Sequence, residues 1–261
     1  MVRPVPVNAK LEEVNMENVP VIFLNGSNPP NATKDIQERY EKWSDEVYAP
    51  MLMKSGKLTG IDQYTIIKEI PDFPIVLSIQ SLKNLRVWEE YWNVPEVIAV
   101  AKDAQTTWPK YGRENIWGAV YQQLLSFKGN VINFFQGDKP EGENPPVLNI
   151  TAFDFSAIEW DKFNVWFGEF GPQAFLPLFS KLPGLHQCDC YKWTGITRPN
   201  RRIKEYPMFL MLFYFENSVS SQYFEVCPEM MSFKAAIKIA FPNGFNSQWN
   251  VQYQLVKSFR K

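Results

Sequence analysis

The chain has 261 residues, of which 45% are hydrophobic and 21% are charged, as expected of a globular protein with a substantial core. Its 27 Lys and Arg side chains are balanced by 28 Asp and Glu, so no positive field exists to attract nucleic acid or acidic lipid. No run approaches the roughly 18 apolar residues of a membrane-spanning helix, and the N-terminal segment lacks the apolar core of a signal peptide. We therefore expect a cytoplasmic protein without membrane or nucleic-acid partners.

Metal and disulfide chemistry are disfavoured by the small number of suitable side chains. The chain has three cysteines, Cys188, Cys190 and Cys227, and a single histidine, His186. This set cannot form a standard closed zinc site or a disulfide framework. Cys188 and Cys190 are interpreted as small buried residues of a strand. No metal site is predicted.

An internal repeat organises most of the chain. The segment 73–96, FPIVLSIQSLKNLRVWEEYWNVPE, follows the same plan as 206–229, YPMFLMLFYFENSVSSQYFEVCPE, at a separation of 133 residues. Near the ends, WGAVYQQLLSFK (117–128) aligns with WNVQYQLVKSFR (249–260) at a separation of 132. We predict an N-terminal arm (1–16), a first repeat (17–136), a Pro/Gly/Glu-rich linker (137–146) and a second repeat (147–261).

Each copy begins with a β-rich segment, 21–24 or 147–153, followed by a helix. The first helix is predicted from one apolar face at 3.6-residue periodicity, formed by Ile36, Tyr40, Trp43, Val47 and Met51. Its counterpart starts at a capping box, Ser156 with Glu159. A glycine and a strand follow, at 61–68 or 185–193.

A second strand is predicted to begin at the aromatic-proline pair of each copy, because proline suits the first residue of a strand. Asn84 and Asn217 are the expected N-caps of the second helical region, in which Pro95 and Pro228 restart a helix. Each copy closes with the strand that carries the repeated Trp and Tyr.

The order β-α-β-β-α-β is that of a ferredoxin-like unit. Such a sheet carries helices on one side, and its bare face must be covered. The second copy is the nearest cover. The predicted fold class is therefore α+β, with two ferredoxin-like βαββαβ repeats fused into a pseudo-dimeric α+β barrel.

With this order, the first-helix tryptophans and the turns LTGI and LPGL, the chain resembles the dimeric α+β barrel superfamily in its tandem-fused form. The resemblance includes the EthD-like and antibiotic-monooxygenase-like branches. The resemblance implies cofactor-independent oxygenation, decarboxylation, cyclisation or isomerisation of hydrophobic, often aromatic or polyketide-like molecules. Some relatives bind haem. The first-helix histidine of part of the EthD-like branch has no counterpart in YEKWSDEVYAP (40–50).

Three residues are candidate acid–base groups. His186 has a side chain suited to proton transfer near neutral pH, although a structural role at a strand end is the alternative. Asp189 is matched with Thr65 of the first copy, so the carboxylate is expected in the second copy alone. Glu169 lies one turn after Trp166 and could instead belong to a solvated helix face. The candidate substrate-binding residues, which could equally be core, are Trp166, Tyr191, Tyr214, Tyr64, Trp43 and Asp62.

The second copy is also longer. Gly184 and Tyr206 are 22 positions apart, against 13 from Gly60 to Phe73. The extra residues, around TGITRPNRRIKE, are interpreted as a lid or binding loop, or as a longer hairpin. Our hypothesis is that the second copy supplies most of the pocket and that the first is scaffolding.

The sequence favours a cofactor-independent cyclase, decarboxylase or isomerase acting on a hydrophobic, aromatic or polyketide-like small molecule. No phosphate-binding loop or nucleophile elbow is present, and no cofactor is predicted. The alternatives are a non-catalytic binding protein for an apolar ligand, a haem protein and a cofactor-free monooxygenase. The chain is expected to act as a monomeric pseudo-dimer, with a homodimer left open.

Overall fold

The computed structural model describes residues 19–128, 146–155, 157–169, 179, 182–203, 205–241 and 246–260. The predicted arm, nearly all of the linker and Ser156 of the capping box lie outside these residues. The elements of the first half are β1 (Val21–Asn28), α1 (Lys34–Trp43), a π-helical turn (Ser44–Tyr48), α2 (Ala49–Lys54), β2 (Leu58–Ile66), β3 (Val76–Leu82), α3 (Leu85–Tyr91), α4 (Pro95–Thr107) and β4 (Glu114–Lys128).

The second half repeats this order over the described residues. Its elements are β5 (Val147–Asp154), α5 (Ala157–Glu169), β6 (Leu185–Thr197), β7 (Phe209–Phe215), α6 (Ser218–Val226), α7 (Pro228–Ala240) and β8 (Asn246–Arg260). The described helices are all too short or too polar to cross a membrane.

The predicted helix starts of the second helical region are confirmed in both halves. The side chain of Asn84 accepts a hydrogen bond from the Val87 amide at 2.9 Å, and that of Asn217 accepts one from Ser220 at 3.0 Å. Pro95 then opens α4 and Pro228 opens α7, where the missing amide proton costs no helical hydrogen bond.

Two other predicted boundaries are wrong. The helix expected from 36 to 51 is interrupted by the π-helical turn between α1 and α2. The second strands begin at Val76 and Phe209, two residues after the prolines. The aromatic-proline pairs therefore lie outside the sheet and are free to make other contacts.

The eight strands form one closed antiparallel barrel in the order β1-β3-β2-β8-β5-β7-β6-β4. Within each half the neighbour order is the same, 4-1-3-2 and 8-5-7-6, and the halves join through the pairs β2–β8 and β4–β6. The halves therefore join edge to edge, and closure leaves none of the eight described strands with an unpaired edge. Corresponding strands run in the same direction, so the halves are related by a rotation about the barrel axis.

Aromatic side chains fill one end of the barrel and connect the two halves. Trp117 and Trp249 stack with ring centroids 4.3 Å apart and planes 3° apart. Phe73 packs edge-on against both rings, and Tyr206 packs edge-on against Trp249. The stacked pair occupies the space in which a ligand inside this end of the barrel would have to lie.

A reciprocal pair of hydrogen bonds accompanies the stack. The hydroxyl of Tyr121 donates to the carbonyl of Pro207 at 3.1 Å, and that of Tyr253 donates to the carbonyl of Pro74 at 3.0 Å. Each bond joins the last strand of one half to the aromatic-proline segment of the other. The repeated residues of the sequence are thus the contacts through which the halves hold each other.

We predict that Tyr121→Phe and Tyr253→Phe each lower the free energy of unfolding by about 1–2 kcal/mol, because each leaves a buried carbonyl without its donor. Urea unfolding measures the change. Tyr223→Phe is the control, since Tyr223 is exposed on α6. If neither core variant is less stable than the control, the reciprocal bonds do not stabilise the closed barrel.

Candidate active site

The strand registers show which residues of the two halves are equivalent. In the first half Asp62 pairs with Ile79. In the second half Asp189 pairs with Leu212, and Ile79 and Leu212 are separated by the 133 residues of the repeat. Asp62 and Asp189 therefore occupy the same place in their halves. The match of Asp189 with Thr65, and with it the expectation of a carboxylate in the second copy alone, is wrong.

The two glycine turns caused this error. Gly60 lies within β2, whereas Gly184 precedes β6 and has a positive φ of 69°. The similar sequences LTGI and LPGL thus occupy different places in the fold. His186 is the extra residue of a β-bulge between Leu185 and Gln187, and its side chain is half-buried. At this bulge the side chains of β6 do not alternate regularly between the two sheet faces.

The structure brings several predicted site residues together inside the barrel. One guanidinium nitrogen of Arg260 lies 2.6 Å from both carboxylate oxygens of Asp62, and the Ser258 hydroxyl donates to Asp62 at 2.6 Å. Asp189 accepts from the Gln187 amide at 2.6 Å and from the Tyr191 hydroxyl at 3.4 Å. The two equivalent carboxylates have different partners.

The electrostatics place these groups in one region. Burial raises the pKa of Tyr64, Tyr191 and Tyr214 well above the ordinary value, and Asp62 and Asp189 raise all three further. Burial also raises the pKa of Asp62, against the opposing effect of Arg260. Within the described residues these groups form a closed, acidic and phenolic cluster inside the barrel, near the end of β8 that lies opposite Trp249.

Two predicted residues lie elsewhere, on α5. Trp166 packs against Phe163 and Phe241 in the core outside the barrel, and Glu169 is exposed at the end of the helix. Residues 170–178, which follow α5, lie outside the described part of the chain. The roles proposed for Trp166 and Glu169 stay predictions.

A narrow cleft of about 20 Å³ opens on the outer face of the first half, between the sheet and the helical segment of α1 and the π-helical turn. This volume suffices for a water molecule. Of the predicted site residues, Trp43 lines it. The full lining is Asn25, Ser27, Tyr40, Trp43, Ser44, Tyr48, Gln63, Val76, Ser78 and Arg113.

Tyr48, in the π-helical turn, is held at the centre of a hydrogen-bond network. Its hydroxyl oxygen accepts from the Asn25 amide at 3.2 Å and from the Gln80 amide at 3.4 Å. Gln80 in turn accepts from Tyr91 at 3.0 Å. No described acceptor uses the Tyr48 proton, so this hydroxyl can donate to a ligand. Burial raises its pKa and keeps it protonated, although Arg113 acts in the opposite direction.

The aromatic wall of the cleft is fixed from behind. The indole nitrogen of Trp43 donates to Asp103 of α4 at 2.7 Å, and Thr107 donates to the same carboxylate at 2.8 Å. Tyr40 and Tyr48 pack against Trp43 with centroids 6.1 and 5.4 Å away. The wall therefore offers oriented aromatic surface to a flat ligand.

Two polar atoms in the cleft are buried without a hydrogen-bond partner among the described residues. They are the hydroxyl oxygen of Ser78 and Nε of Arg113. A buried polar group without a partner costs about 1–3 kcal/mol. Such groups call for an explanation, and a ligand or water in the cleft would supply the missing bonds.

The second half has apolar residues where the first half has these polar ones. By strand register the counterparts of Ser27, Gln63, Ser78 and Gln80 are Phe153, Cys190, Met211 and Phe213. All four counterparts pack in the core beneath the second half's helices. The polar cleft thus belongs to the first half, contrary to our hypothesis that the first half is scaffolding.

Matched serine variants test whether the cleft is built for a ligand. Ser27 and Ser78 are both 6% exposed, but the hydroxyl of Ser27 lies 3.2 Å from that of Tyr40 while the hydroxyl of Ser78 has no described partner. We predict that Ser27→Ala lowers the free energy of unfolding by about 1 kcal/mol, whereas Ser78→Ala leaves it unchanged or raises it. Chemical denaturation measures both. Equal losses would show that Ser78 has a structural partner.

The Asp62 carboxyl gives a pH prediction. Its pKa is raised in the folded state, so its contribution to stability is complete below the unfolded value of 3.8 and is lost as the pH rises through the folded pKa. Unfolding of the wild type and Asp62→Asn is compared from pH 3.5 upward. We expect the wild type to lose stability relative to the variant as the pH rises. The opposite trend would mean that Arg260 outweighs burial.

Comparisons with known proteins agree with the fold. No known family signature matches the chain, and no curated protein matches it in sequence. A proposed monooxygenase from Fusobacterium nucleatum is similar in structure, with a TM-score of 0.61 and 11% identity over 94% of this chain and 96% of that one. An anthrone oxidase-like protein has a TM-score of 0.60 and 10% identity over 94% of each chain. A chlorite dismutase from Candidatus Nitrospira defluvii has a TM-score of 0.52 and 12% identity over 94% of each chain. At these identities the similarity concerns the fold alone, that of the dimeric α+β barrels.

Proposed function

We propose that the protein is an enzyme that oxygenates an aromatic small molecule in the cleft of the first half, without a cofactor. The observation that carries the proposal is the group of polar residues Ser27, Gln63, Ser78 and Gln80 on the outer face of the first sheet, whose four counterparts in the second half are apolar. Buried polar groups are costly, so a half that keeps them has a use for them. Two of the similar structures are named for oxygen chemistry, as a monooxygenase and as anthrone oxidase-like.

Oxygenation is favoured over the cyclisation, decarboxylation or isomerisation first expected. Among its described lining residues the cleft has no carboxylate or imidazole for general acid–base work. The acid–base roles of His186, Asp189 and Glu169 stay predictions, and none of the three lines the cleft. We also propose that the two halves are fused ferredoxin-like copies, closer to the antibiotic-monooxygenase-like branch than to the EthD-like branch.

The cleft residues suit a substrate that ionises by itself. The phenol or enol gives its proton to solvent water. Its oxygen, placed near Arg113 and the Tyr48 hydroxyl, is then stabilised as an anion by the positive charge and the hydrogen bond. The electron-rich carbon of that anion then reduces dioxygen. For a methylene group the balance is CH₂ + O₂ → C=O + H₂O: two C–H bonds break, and one oxygen atom leaves as water. The substrate supplies all the electrons, so no external reductant is needed.

Entry of a ring requires the cleft to widen, because its volume suits dioxygen or water. The helical segment on its outer side is interrupted by the π-helical turn that carries Ser44 and Tyr48. Such turns are irregular points in a helix and occur often at functional sites. Outward movement of this segment would separate Trp43 and Tyr48 from the sheet and admit a flat substrate.

A haem does not fit the cleft as described. The described lining contains no histidine, cysteine or methionine to ligate the iron. Tyr48 is a phenol that could in principle ligate iron, but burial raises its pKa and disfavours the phenolate. The proposal therefore includes no step through haem.

Oxygen uptake tests the proposal. Wild-type protein is mixed with hydroxylated anthrones and naphthalenediols in an oxygen electrode, and the quinone product is followed by absorbance. We predict that Tyr48→Phe lowers kcat/KM by about tenfold to a hundredfold, because a donor to the reacting oxygen is lost. Tyr223→Phe, on the exposed face of α6, should match the wild type. Full activity of Tyr48→Phe would remove the cleft as the reaction site.

A further inference from the structure

The second half contributes a segment to the cleft of the first. From Asp189 to Tyr206 the second half spans 17 positions, against 11 from Asp62 to Phe73. The additional residues continue beyond β6 along β4 of the first half. The amides of Arg198, Arg202 and Ile203 donate to carbonyls of β4, at Gly118, Asn115 and Ile116, over 2.7, 3.0 and 3.1 Å. This crossing segment, residues 198–203, is therefore fixed against the first half by backbone bonds.

The crossing segment brings Arg201 into contact with Asn25, a lining residue of the cleft. Nε of Arg201 donates to the Trp117 carbonyl at 3.0 Å, and one terminal nitrogen donates to the Asn25 side chain at 3.3 Å. Asn25 lines the cleft and donates to Tyr48. Arg201 is thus connected through Asn25 to the hydroxyl of Tyr48, which we propose as the donor to the reacting oxygen of the substrate.

Gly118 of β4 makes this approach feasible. A Cβ atom at Gly118 would lie 2.5 Å from Nε of Arg201 and 2.9 Å from its Cγ, so any side chain would displace the arginine. The residue after the stacked tryptophan in the second half is Asn250, which is exposed. Only the first half therefore has the space that an incoming arginine needs.

The arginines around the cleft lack carboxylate partners among the described residues. Arg113 donates to the Asn115 side chain and keeps Nε without a partner, and Arg198 lies 3.6 Å over the ring of Trp92. None of Arg113, Arg198 and Arg201 has a described carboxylate within 4.0 Å. Neighbouring Arg202, in contrast, pairs with Asp72 and Glu114.

The charges act on one another and on the phenol. Burial lowers the pKa of Arg201, and Arg113 and Arg198 lower it further. Arg113 and Arg201 both act to lower the pKa of Tyr48, against burial. Like charges held together in a partly buried place repel each other, and a bound anion would remove that repulsion.

We propose that the cleft recognises an aromatic ligand by an anionic group, held between Arg113 of the first half and Arg201 of the second. The ligand class is an aromatic carboxylate or phenolate. Charge-assisted bonds from two guanidiniums give both affinity and orientation. This inference deepens the proposed function and rests on it for the identity of the substrate site, while anion binding itself needs no oxygen chemistry.

Calorimetric titration of the full chain with 2-naphthoate, its neutral isostere 2-naphthamide and inorganic phosphate tests the inference. The first two probes share the ring and the shape, so any widening of the cleft affects both equally. We expect 2-naphthoate to bind at least about tenfold more tightly than 2-naphthamide, the usual worth of a charged hydrogen bond. Phosphate, which lacks the ring, should bind more weakly than 2-naphthoate.

Variants locate the anion. Arg113→Gln and Arg201→Gln should each weaken 2-naphthoate binding about tenfold without changing 2-naphthamide binding. Arg202→Gln, in the same segment but paired with carboxylates at the surface, should change neither. Gly118→Ala keeps every charge but displaces Arg201, and should reproduce the effect of Arg201→Gln. If Arg201→Gln does not fold, binding of 2-naphthoate and 2-naphthamide to the wild type and to Gly118→Ala shows whether Arg201 holds the anion.

The inference is overturned if the two naphthalene probes bind equally, if phosphate binds as tightly as 2-naphthoate, or if Gly118→Ala and Arg201→Gln bind 2-naphthoate like the wild type. Failure of the proposed function has a different signature. Selective 2-naphthoate binding by a protein that consumes no oxygen would remove the oxygenase and keep the anion site. Oxygen uptake with neutral substrates, without a preference for 2-naphthoate over 2-naphthamide, would keep the oxygenase and remove the anion site.

Discussion

The stack of Trp117 on Trp249, with the exchanged hydrogen bonds from Tyr121 and Tyr253, is the contact on which the rest of the structure depends. Each half presents an apolar sheet face that it cannot cover itself, and a closed barrel hides both. Because the halves run in the same direction around the barrel axis, equivalent residues meet each other. The sequence therefore repeats the residues through which the halves touch, as it repeats the caps and prolines that start its helices.

In this arrangement the two faces of the sheets have different roles. The inward faces carry mostly aromatic and aliphatic side chains, with a closed cluster around Asp62 and Asp189, and hold the halves together. The outer face of the first sheet, in contrast, lines a cleft. In the second half the positions that match the cleft residues Ser27, Gln63, Ser78 and Gln80 hold phenylalanine, cysteine and methionine. On its outward face the first half keeps Ser78, Gln63 and Gln80 beneath the helical segment. The second half also buries Asn149 and Thr151 on this face, but the two are hydrogen-bonded to each other and Asn149 to Glu225. The cleft belongs to the first half.

Local signals in the sequence predicted local structure well. Asn84, Asn217 and the helix-opening prolines act through bonds within a few residues, so their roles could be read directly. The correspondence between residues of β2 and residues of β6 could not be read from the sequence, because a similar glycine turn lies inside β2 and before β6. The cleft was detectable in part, since β3 reads VLSIQSL (76–82) where β7 reads FLMLFYF (209–215). Its completion by Arg201 was not, because pairing beyond the end of a strand leaves no periodic signal.

Gly118 has a consequence for stoichiometry. A symmetric homodimer of single units would carry two identical clefts, and a change that improved one would alter both. Covalent fusion removes that restriction, and a glycine in β4, with asparagine at the matching place in β8, allows an arginine to cross in one direction only. A fused chain of this kind binds a single ligand: one half forms the cleft, and the other half contributes a positively charged side chain to it.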